Sequence, residues 1–262
     1  MHNELLNIAQ NIGSLLSKLR GDASIKGHWE GSQLKSSADI WAHEEWSRSL
    51  EKSFPGIAIV SEEDKISANI DETARYFLID PIDGTASFAA GFDGFVTQIA
   101  YIESGVVQES VVHAPILNLT WHASLGKGSF LGAARLYNDI DKSGRLLLID
   151  NYPQARGIAK TLCQELPTTG YLESGSIGLK LCRVADGSAD LFVKDVSVRS
   201  WDVAPASLIL SERGGIMLDI HGKSIKYGGG FEIDGLIAAT DPSLVSRVNG
   251  ILSRKTSMAT KR

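Results

Sequence analysis

Three acidic positions in this chain carry residue types that could do chemistry. Glu62 lies in an acidic run just after four apolar residues, and the hexapeptide 80–85 (Asp-Pro-Ile-Asp-Gly-Thr) follows a second apolar run. Asp202 follows a tryptophan at the start of a predicted helix. Carboxylates just past strand ends can converge on one crevice, and hard divalent cations such as Mg²⁺ prefer oxygen ligands. The pattern therefore indicates a divalent-cation site.

The hexapeptide 80–85 offers metal ligands and a phosphate site together. Its proline fixes φ and stiffens the connection, and a turn can bring Asp80 and Asp83 toward one group of metal ions. The carbonyl of Ile82 lies between them. The glycine allows close backbone approach, and a helix beginning near Thr85 would present free N–H groups to an anion.

Each acidic segment also has a purely structural interpretation. Asp-Gly is an ordinary turn signal, and an acidic run such as 62–64 is usually a solvated surface. Asp202 could be a helix N-cap beside a core tryptophan. The hexapeptide is more specific, because it requires six residue types in order.

These segments together resemble the inositol monophosphatase superfamily. The hexapeptide 80–85 is similar to the family's signature, and residues 61–63 resemble its Gly-Glu-Glu segment. Residues 201–206 resemble its Trp-Asp-x-Ala-Ala-Gly segment, and two glycines at 214–215 follow as in the family. The resemblance extends from about residue 35 to about residue 240.

The resemblance implies roles for individual residues. It implies two or three Mg²⁺ ions, whose ligands are Glu62, Asp80, Asp83, Asp202 and the carbonyl of Ile82. It implies that Glu62 and Thr85 orient the attacking water, with Asp83 as the third catalytic residue. The implied substrate contacts are Asp83, Gly84, Thr85, Gly175, Ser176 and Asp195.

Some positions depart from the family pattern. Pro205 replaces the second alanine after Trp-Asp, a variant that resembles bisphosphate nucleotidases. The segment before residue 201 is one residue longer than in inositol-specific members, which leaves Lys194 or Asp195 as the candidate contact. The lysine of an early mobile loop could be Lys26 or Lys35.

Periodicity predicts an α+β fold, and the resemblance implies a layered αβαβα sandwich of the sugar-phosphatase type. We predict one domain over 1–262, with two tightly packed halves at about 1–140 and 141–262. The predicted helices are 4–20, 37–53, 153–166, 176–186 and 201–213. The predicted strands are 57–60, 76–79, 95–102, 106–114, 119–123, 145–150 and 191–193. Residues 21–36 are predicted to form a loop, and Asn3 to cap the first helix.

Composition limits the partners. The formal net charge of −5 argues against binding a nucleic-acid polymer, which needs a basic surface. The sequence shows no signal peptide or membrane span, and its two cysteines, Cys163 and Cys182, form no disulfide framework. We therefore expect a cytoplasmic protein with buried thiols. The resemblance further implies Li⁺ sensitivity and a homodimer.

The leading functional hypothesis is Mg²⁺-dependent hydrolysis of a small phosphate monoester, such as an inositol or sugar phosphate. A 3′(2′),5′-bisphosphate nucleotidase is the main alternative because of Pro205, followed by a histidinol-phosphate phosphatase. A regulatory or binding protein that kept the fold without catalysis is the alternative outside the enzymes.

Overall fold

The structure is a computed structural model that describes residues 1–20, 27–30, 33–64, 71, 74–137, 144 and 146–259. Within this part of the chain the helices are α1 (His2–Leu19), α2 (Ser37–Ser53), α3 (Thr85–Ala89), α4 (Gly157–Glu165), α5 (Ile177–Ala185), α6 (Ser200–Arg213) and α7 (Pro242–Ala259).

The strands of the described residues form two large sheets and two small ribbons. They are β1 (Gly27–Glu30), β2 (Gln33–Ser36), β3 (Ala58–Ser61), β4 (Arg75–Asp83), β5 (Val96–Glu103), β6 (Val106–Ala114), β7 (Leu119–Ser124), β8 (Gly128–Leu131), β9 (Ala134–Arg135), β10 (Leu147–Asp150), β11 (Gly170–Glu173), β12 (Leu191–Lys194), β13 (Val198–Arg199), β14 (Ile216–Asp219), β15 (Glu232–Ile233) and β16 (Leu236–Ala239).

The first large sheet keeps sequence order from β3 to β9. Strands β3 and β4 are parallel, and every later neighbouring pair is antiparallel. The second large sheet has the order β11-β10-β12-β16-β14, with β10 parallel to both of its neighbours. The strands of both sheets are rich in buried apolar residues because helices cover both faces.

The helices and sheets stack in five layers. Leu78 of β4 packs in one core cluster with α5, α6 and Phe192 of the second sheet, whereas the adjacent Phe77 faces the opposite way, toward α1 and Trp46 of α2. Leu148 of the second sheet packs outward in a cluster with α4 and α7. Burial of each such large side chain contributes roughly 1.5–3 kcal/mol. The predicted αβαβα sandwich is confirmed.

Several predicted boundaries were wrong. Part of the expected loop 21–36 is the antiparallel β1–β2 hairpin. Each of its four-residue strands has a single large apolar residue, so the sequence carries no period-two signal. Helix α1 begins at His2, with Met1 rather than Asn3 at its N-cap. Cys182 is buried as expected, but Cys163 is only partly buried. No helix of the described residues is long and apolar enough to cross a membrane.

Candidate metal centre

The parallel pair β3 and β4 brings the first two acidic segments to one sheet edge. Ser61 pairs with Ile79, and the backbone N–H of Glu62 donates to the carbonyl of Ile79 at 3.3 Å. Because parallel strands end at the same edge, Glu62 lies beside Asp80. The Glu62 carboxylate is close enough to both Asp80 and Asp202 to affect their protonation.

A bulge in β4 positions the two aspartates of the hexapeptide. Asp80 pairs with Gln98 of β5, but Asp83 pairs with Val96, so β4 holds one extra residue between the two pairs. Side chains normally alternate between faces along a strand, and the extra residue allows positions three apart to face the same side. Pro81, which has no N–H to donate to the ladder, lies inside this bulge.

The N-terminus of α5 holds Asp83. Its Oδ2 accepts a hydrogen bond from the N–H of Gly178 at 2.5 Å, and its Oδ1 accepts one from the N–H of Ile177 at 3.3 Å. Ser176, the N-cap of α5, also hydrogen-bonds to this carboxylate. The free N–H groups of a helix N-terminus favour a negative charge. Asp83 and Ser176, both implied substrate contacts, thus lie together in the structure.

Glycines allow these segments to approach closely. Gly84 has φ of +92°, and a Cβ there would lie 3.0 Å from the Ser176 side chain. A Cβ on Gly175 would lie 1.9 Å from the carbonyl of Gly94, which instead accepts a hydrogen bond from the N–H of Ser176 at 2.7 Å. Any side chain at Gly175 would therefore push α5 away from the hexapeptide.

Helix α6 supplies the third aspartate. Asp202 is the third residue of this helix, not its N-cap, and its Oδ2 accepts a hydrogen bond from the N–H of Arg199 at 2.9 Å. One carboxylate oxygen from each of Asp80, Asp83 and Asp202 lies within 4.8 Å of the others. Among the described residues, this is the one group of three or more metal-binding side chains that meets this distance.

The carboxylates destabilise one another in their charged forms. Burial raises the pKa of Asp80 well above its usual range, and the charges of Glu62, Asp83 and Asp202 raise it further. The pKa of Asp202 is also raised well above its usual range, chiefly by burial and then by the charge of Asp83. Burial raises the pKa of Asp83 as well, against the lowering effect of its hydrogen bond to Gly178.

The donor set fits a hard divalent cation. Both carboxylate oxygens of Asp80 are buried and have no hydrogen-bond partner among the described residues. A buried, unpartnered carboxylate is costly, and a cation bound by Asp80, Asp83 and Asp202 would remove this cost. Oxygen-only ligands with few protein groups suit Mg²⁺.

Thr85 contacts Asp39, a residue of the site that the sequence prediction missed. Its hydroxyl lies 2.9 Å from Oδ1 of Asp39 in α2 and 3.2 Å from the carbonyl of Ile82. Oδ2 of Asp39 accepts hydrogen bonds from the N–H and hydroxyl of Ser36. Burial raises the pKa of Asp39. The Ser-x-x-Asp pattern at 36–39 signals a helix start, but nothing in the sequence places it beside Thr85.

Gln98 is a second missed residue. Its side-chain N–H₂ lies 3.3 Å from Oδ2 of Asp83 and 3.1 Å from the carbonyl of Trp201. In an unbroken helix, residue 205 would donate its N–H to that carbonyl, but Pro205 has none. Gln98 therefore satisfies the carbonyl that Pro205 leaves free, and it joins α6 to Asp83.

Lys180 is a third missed residue. Its side chain is 1% exposed, and its ammonium donates to the Gly175 carbonyl at 2.8 Å and to Oδ1 of Asn151. Burial lowers its pKa to about 8, although the charge of Asp83 acts in the opposite direction. This is a buried cation close to the carboxylates, and no sequence motif marks it.

The two candidate substrate contacts near the end of β12 differ in exposure. Asp195 is exposed and takes no part in the hydrogen bonds described for the site. Lys194 is partly buried, and its charge acts on Lys180. Lys26 lies outside the described residues, and Lys35 belongs to β2.

Comparison with known proteins agrees with this fold and site. Residues 3–256 match the inositol monophosphatase family. The 3′(2′),5′-bisphosphate nucleotidase CysQ of Salmonella typhimurium is 32% identical over 87% of this chain and 94% of its own. The putative Nus factor SuhB of Neisseria meningitidis is 31% identical over 78% of each chain. The structure of a Thermotoga maritima IMPase superposes with a TM-score of 0.80 at 26% identity, covering 95% of this chain and 96% of that one.

The five-layer fold and the carboxylates that converge at a strand edge agree with this family match. The chain belongs to the inositol monophosphatase family, which confirms the resemblance seen in the sequence motifs.

Proposed function

We propose that this chain is a Mg²⁺-dependent phosphatase that hydrolyses a small phosphate monoester. The observation that carries the proposal is the convergence of Asp80, Asp83 and Asp202 within 4.8 Å, deep enough to raise the pKa of each. Membership of a family with phosphatase relatives supports the same chemistry. When bound, Mg²⁺ would supply the Lewis acidity that activates water and offsets phosphate charge. Glu62 and the carbonyl of Ile82 would complete the ligand set.

Thr85 and Asp39 provide a route for the proton of the attacking water. A hydroxyl that donates to a carboxylate keeps its lone pairs for another donor, so Thr85 can accept a hydrogen bond from water. Burial raises the pKa of Asp39, which makes it a better base than an exposed aspartate. Glu62, on the β3 side of the cluster, is the second candidate to orient this water.

The substrate phosphate would lie against the backbone at Gly84 and Thr85, where α3 begins. Its alcohol part would face Gly175 and Ser176, since these residues pack directly against Gly84. Asp195, which directly follows β12, remains a proposed substrate contact.

The leading substrate class is an inositol or sugar phosphate, and the alternative is a 3′(2′),5′-bisphosphate nucleotide. The extent of the match to CysQ supports the alternative, as does Pro205. A histidinol phosphate is a third candidate. The alternative outside the enzymes is a non-catalytic binding role, and the similarity to a putative Nus factor supports it. From the family we also expect Li⁺ inhibition, a homodimer and a cytoplasmic location.

The test is phosphate release from a panel, with and without Mg²⁺. The panel contains inositol 1-phosphate, 3′-phosphoadenosine 5′-phosphate, fructose 1,6-bisphosphate and histidinol phosphate. We expect one compound to be hydrolysed much faster than the others, and only with Mg²⁺. Release of phosphate from none of them by folded protein would favour the binding role.

A further inference from the structure

A second group of ionisable side chains lies where α1 packs across β6 and β7. Nδ1 of His2 is 2.6 Å from Oε2 of Glu109, and Nε2 of His2 is 2.9 Å from Nδ1 of His122. Nε2 of His122 is 2.9 Å from the carbonyl of Gly132. The two imidazoles thus form a continuous chain between a carboxylate and a backbone carbonyl. None of these residues belongs to the proposed metal centre.

The two ends of this chain determine where the protons lie. A backbone carbonyl can only accept, so Nε2 of His122 must carry a proton. Burial raises the pKa of Glu109, but its hydrogen bonds to His2 and Ser124 contribute to a net lowering, which favours the ionised carboxylate. The hydroxyl proton of Ser124 is directed to the same Oε2. Nδ1 of His2 must therefore also carry a proton.

The inner nitrogens are then left facing each other. A neutral imidazole carries a proton on only one nitrogen. Nε2 of His2 and Nδ1 of His122 would thus direct two lone pairs at each other across 2.9 Å. Such an arrangement is repulsive unless a positive charge, either a proton or a metal ion, lies between the two nitrogens.

We propose that His2 and His122 bind one borderline divalent cation of the Zn²⁺, Cu²⁺ or Ni²⁺ type. Neutral imidazole nitrogens are preferred ligands for these ions. Histidine ligands typically donate their other N–H to a carboxylate or a backbone carbonyl. Glu109 and the carbonyl of Gly132 occupy those two positions here.

Binding would require the two rings to move apart and to turn, so that their lone pairs meet at the ion instead of facing each other. Two Zn–N bonds of about 2.0–2.1 Å at a tetrahedral angle separate the nitrogens by about 3.3 Å, compared with 2.9 Å here. His122 is held by stacking on Phe130, with the ring planes inclined by 11°. His2 is the first residue of α1, so it is the ring that we expect to move.

Water from an adjoining cavity would fill the remaining coordination positions. A surface cavity of about 210 Å³ adjoins His122 and is lined by Asn3, Asn7 and Gln10 of α1. Two neutral imidazole nitrogens are softer ligands than carboxylate oxygens. The pair is therefore chemically distinct from the carboxylate cluster, whose hard oxygen ligands suit Mg²⁺.

The test is Zn²⁺ binding, measured by isothermal titration of the full chain without an affinity tag, in excess Mg²⁺ to occupy the carboxylates. We expect one equivalent to bind, His2→Gln and His122→Gln each to abolish that binding, and Glu109→Gln to weaken it by about 10-fold or more. The control is His221→Gln, because His221 lies 2.6 Å from Asp234 and so pairs with a carboxylate in the same way. No second imidazole faces it among the contacts of the described residues.

Two outcomes would overturn the proposal. One is Zn²⁺ binding that both histidine variants retain, and the other is wild-type protein that binds no Zn²⁺ above the Mg²⁺ background. A Cu²⁺ electron paramagnetic resonance spectrum separates ligand loss from misfolding. It should show coupling to two imidazole nitrogens in the wild type and none in folded His122→Gln. A spectrum without imidazole coupling in the wild type would also contradict the proposal.

Discussion

At the scale of single residues, Asp83 connects three elements of the site. It ends β4, accepts hydrogen bonds from two N–H groups of α5, and contacts Gln98 of β5. These donors are neutral, so they fix the orientation of the carboxylate without neutralising its negative charge. The carboxylate can therefore still bind a cation. Its role in catalysis should therefore be separable from its role in the fold.

We predict that Asp83→Asn lowers turnover by at least about 100-fold, because an amide cannot supply the negative charge that a metal ligand needs. The amide oxygen of the variant can still accept the hydrogen bond from Gly178, so we expect the fold to persist. Initial rates and circular dichroism measure the two effects. Asp234→Asn, at an exposed carboxylate paired with His221, is the matched control and should keep full activity. Near-normal turnover in Asp83→Asn would contradict the assignment.

At the scale of elements, the N-terminal turn of α6 depends on a partner from another strand. Gln98→Met keeps the size of the side chain but removes the donor to the Trp201 carbonyl. We predict a loss of about 1–3 kcal/mol in the free energy of unfolding, the typical cost of leaving one buried acceptor unsatisfied. Gln108→Met, at a more exposed position, is the control.

The background Pro205→Ala tests the cause of that loss. Alanine restores the N–H that can donate to the Trp201 carbonyl within the helix. The cost of Gln98→Met should therefore be smaller in Pro205→Ala than in the wild type, as measured by a double-mutant cycle of chemical denaturation. Equal costs in the two backgrounds would show that the proline and the glutamine act independently.

The sequence predicted those elements whose signals are local. The predicted helix 37–53, which residues 54–56 stop, matches α2, and the strand pair predicted around the turn at 103–105 matches β5 and β6 within one residue. The glycine at 214 ends α6 with φ of +96°, as expected for a helix C-cap. The β1–β2 hairpin escaped prediction because its pairing depends on backbone hydrogen bonds more than on an apolar pattern.

At the scale of the whole molecule, metal binding should be linked to pH. Burial and mutual repulsion raise the pKa of Asp80, Asp83 and Asp202 above the value of about 3.8 in the unfolded chain. A raised pKa means that the metal-free folded state binds protons more tightly than the unfolded state. The stability that this proton binding contributes is thus fully present below the pKa of the unfolded chain. It is lost as pH rises through the raised pKa values of the folded state.

We therefore predict that Mg²⁺ stabilises the protein more at about pH 8 than at about pH 5. At the higher pH the ionised carboxylates repel one another unless a cation is bound. The measurement is the difference in Tm with Mg²⁺ and with chelator, across the pH range. Taking this difference cancels groups outside the site, such as Glu109. An increase in Tm that does not depend on pH would contradict the linkage.

The parts of the site that the sequence could not predict are those that depend on tertiary structure. The acidic segments were found because each follows an apolar strand or opens a helix, and one carboxylate oxygen from each of Asp80, Asp83 and Asp202 lies within 4.8 Å of the others. Asp39 and Lys180 were missed because each has a partner that is distant in the sequence. Asp39 of α2 contacts Thr85, and Lys180 of α5 contacts Asn151. Nothing within either helix encodes such a distant partner.

The central claim is that the carboxylate cluster hydrolyses phosphate esters only with a bound divalent cation. The most direct test is phosphate release by protein stripped with chelator and then titrated with Mg²⁺, using the best substrate of the panel, for the wild type and for Asp202→Asn. We expect no release without Mg²⁺, saturable recovery in the wild type, and little recovery in the variant. Equal activity before and after chelation, or full recovery in Asp202→Asn, would contradict this claim.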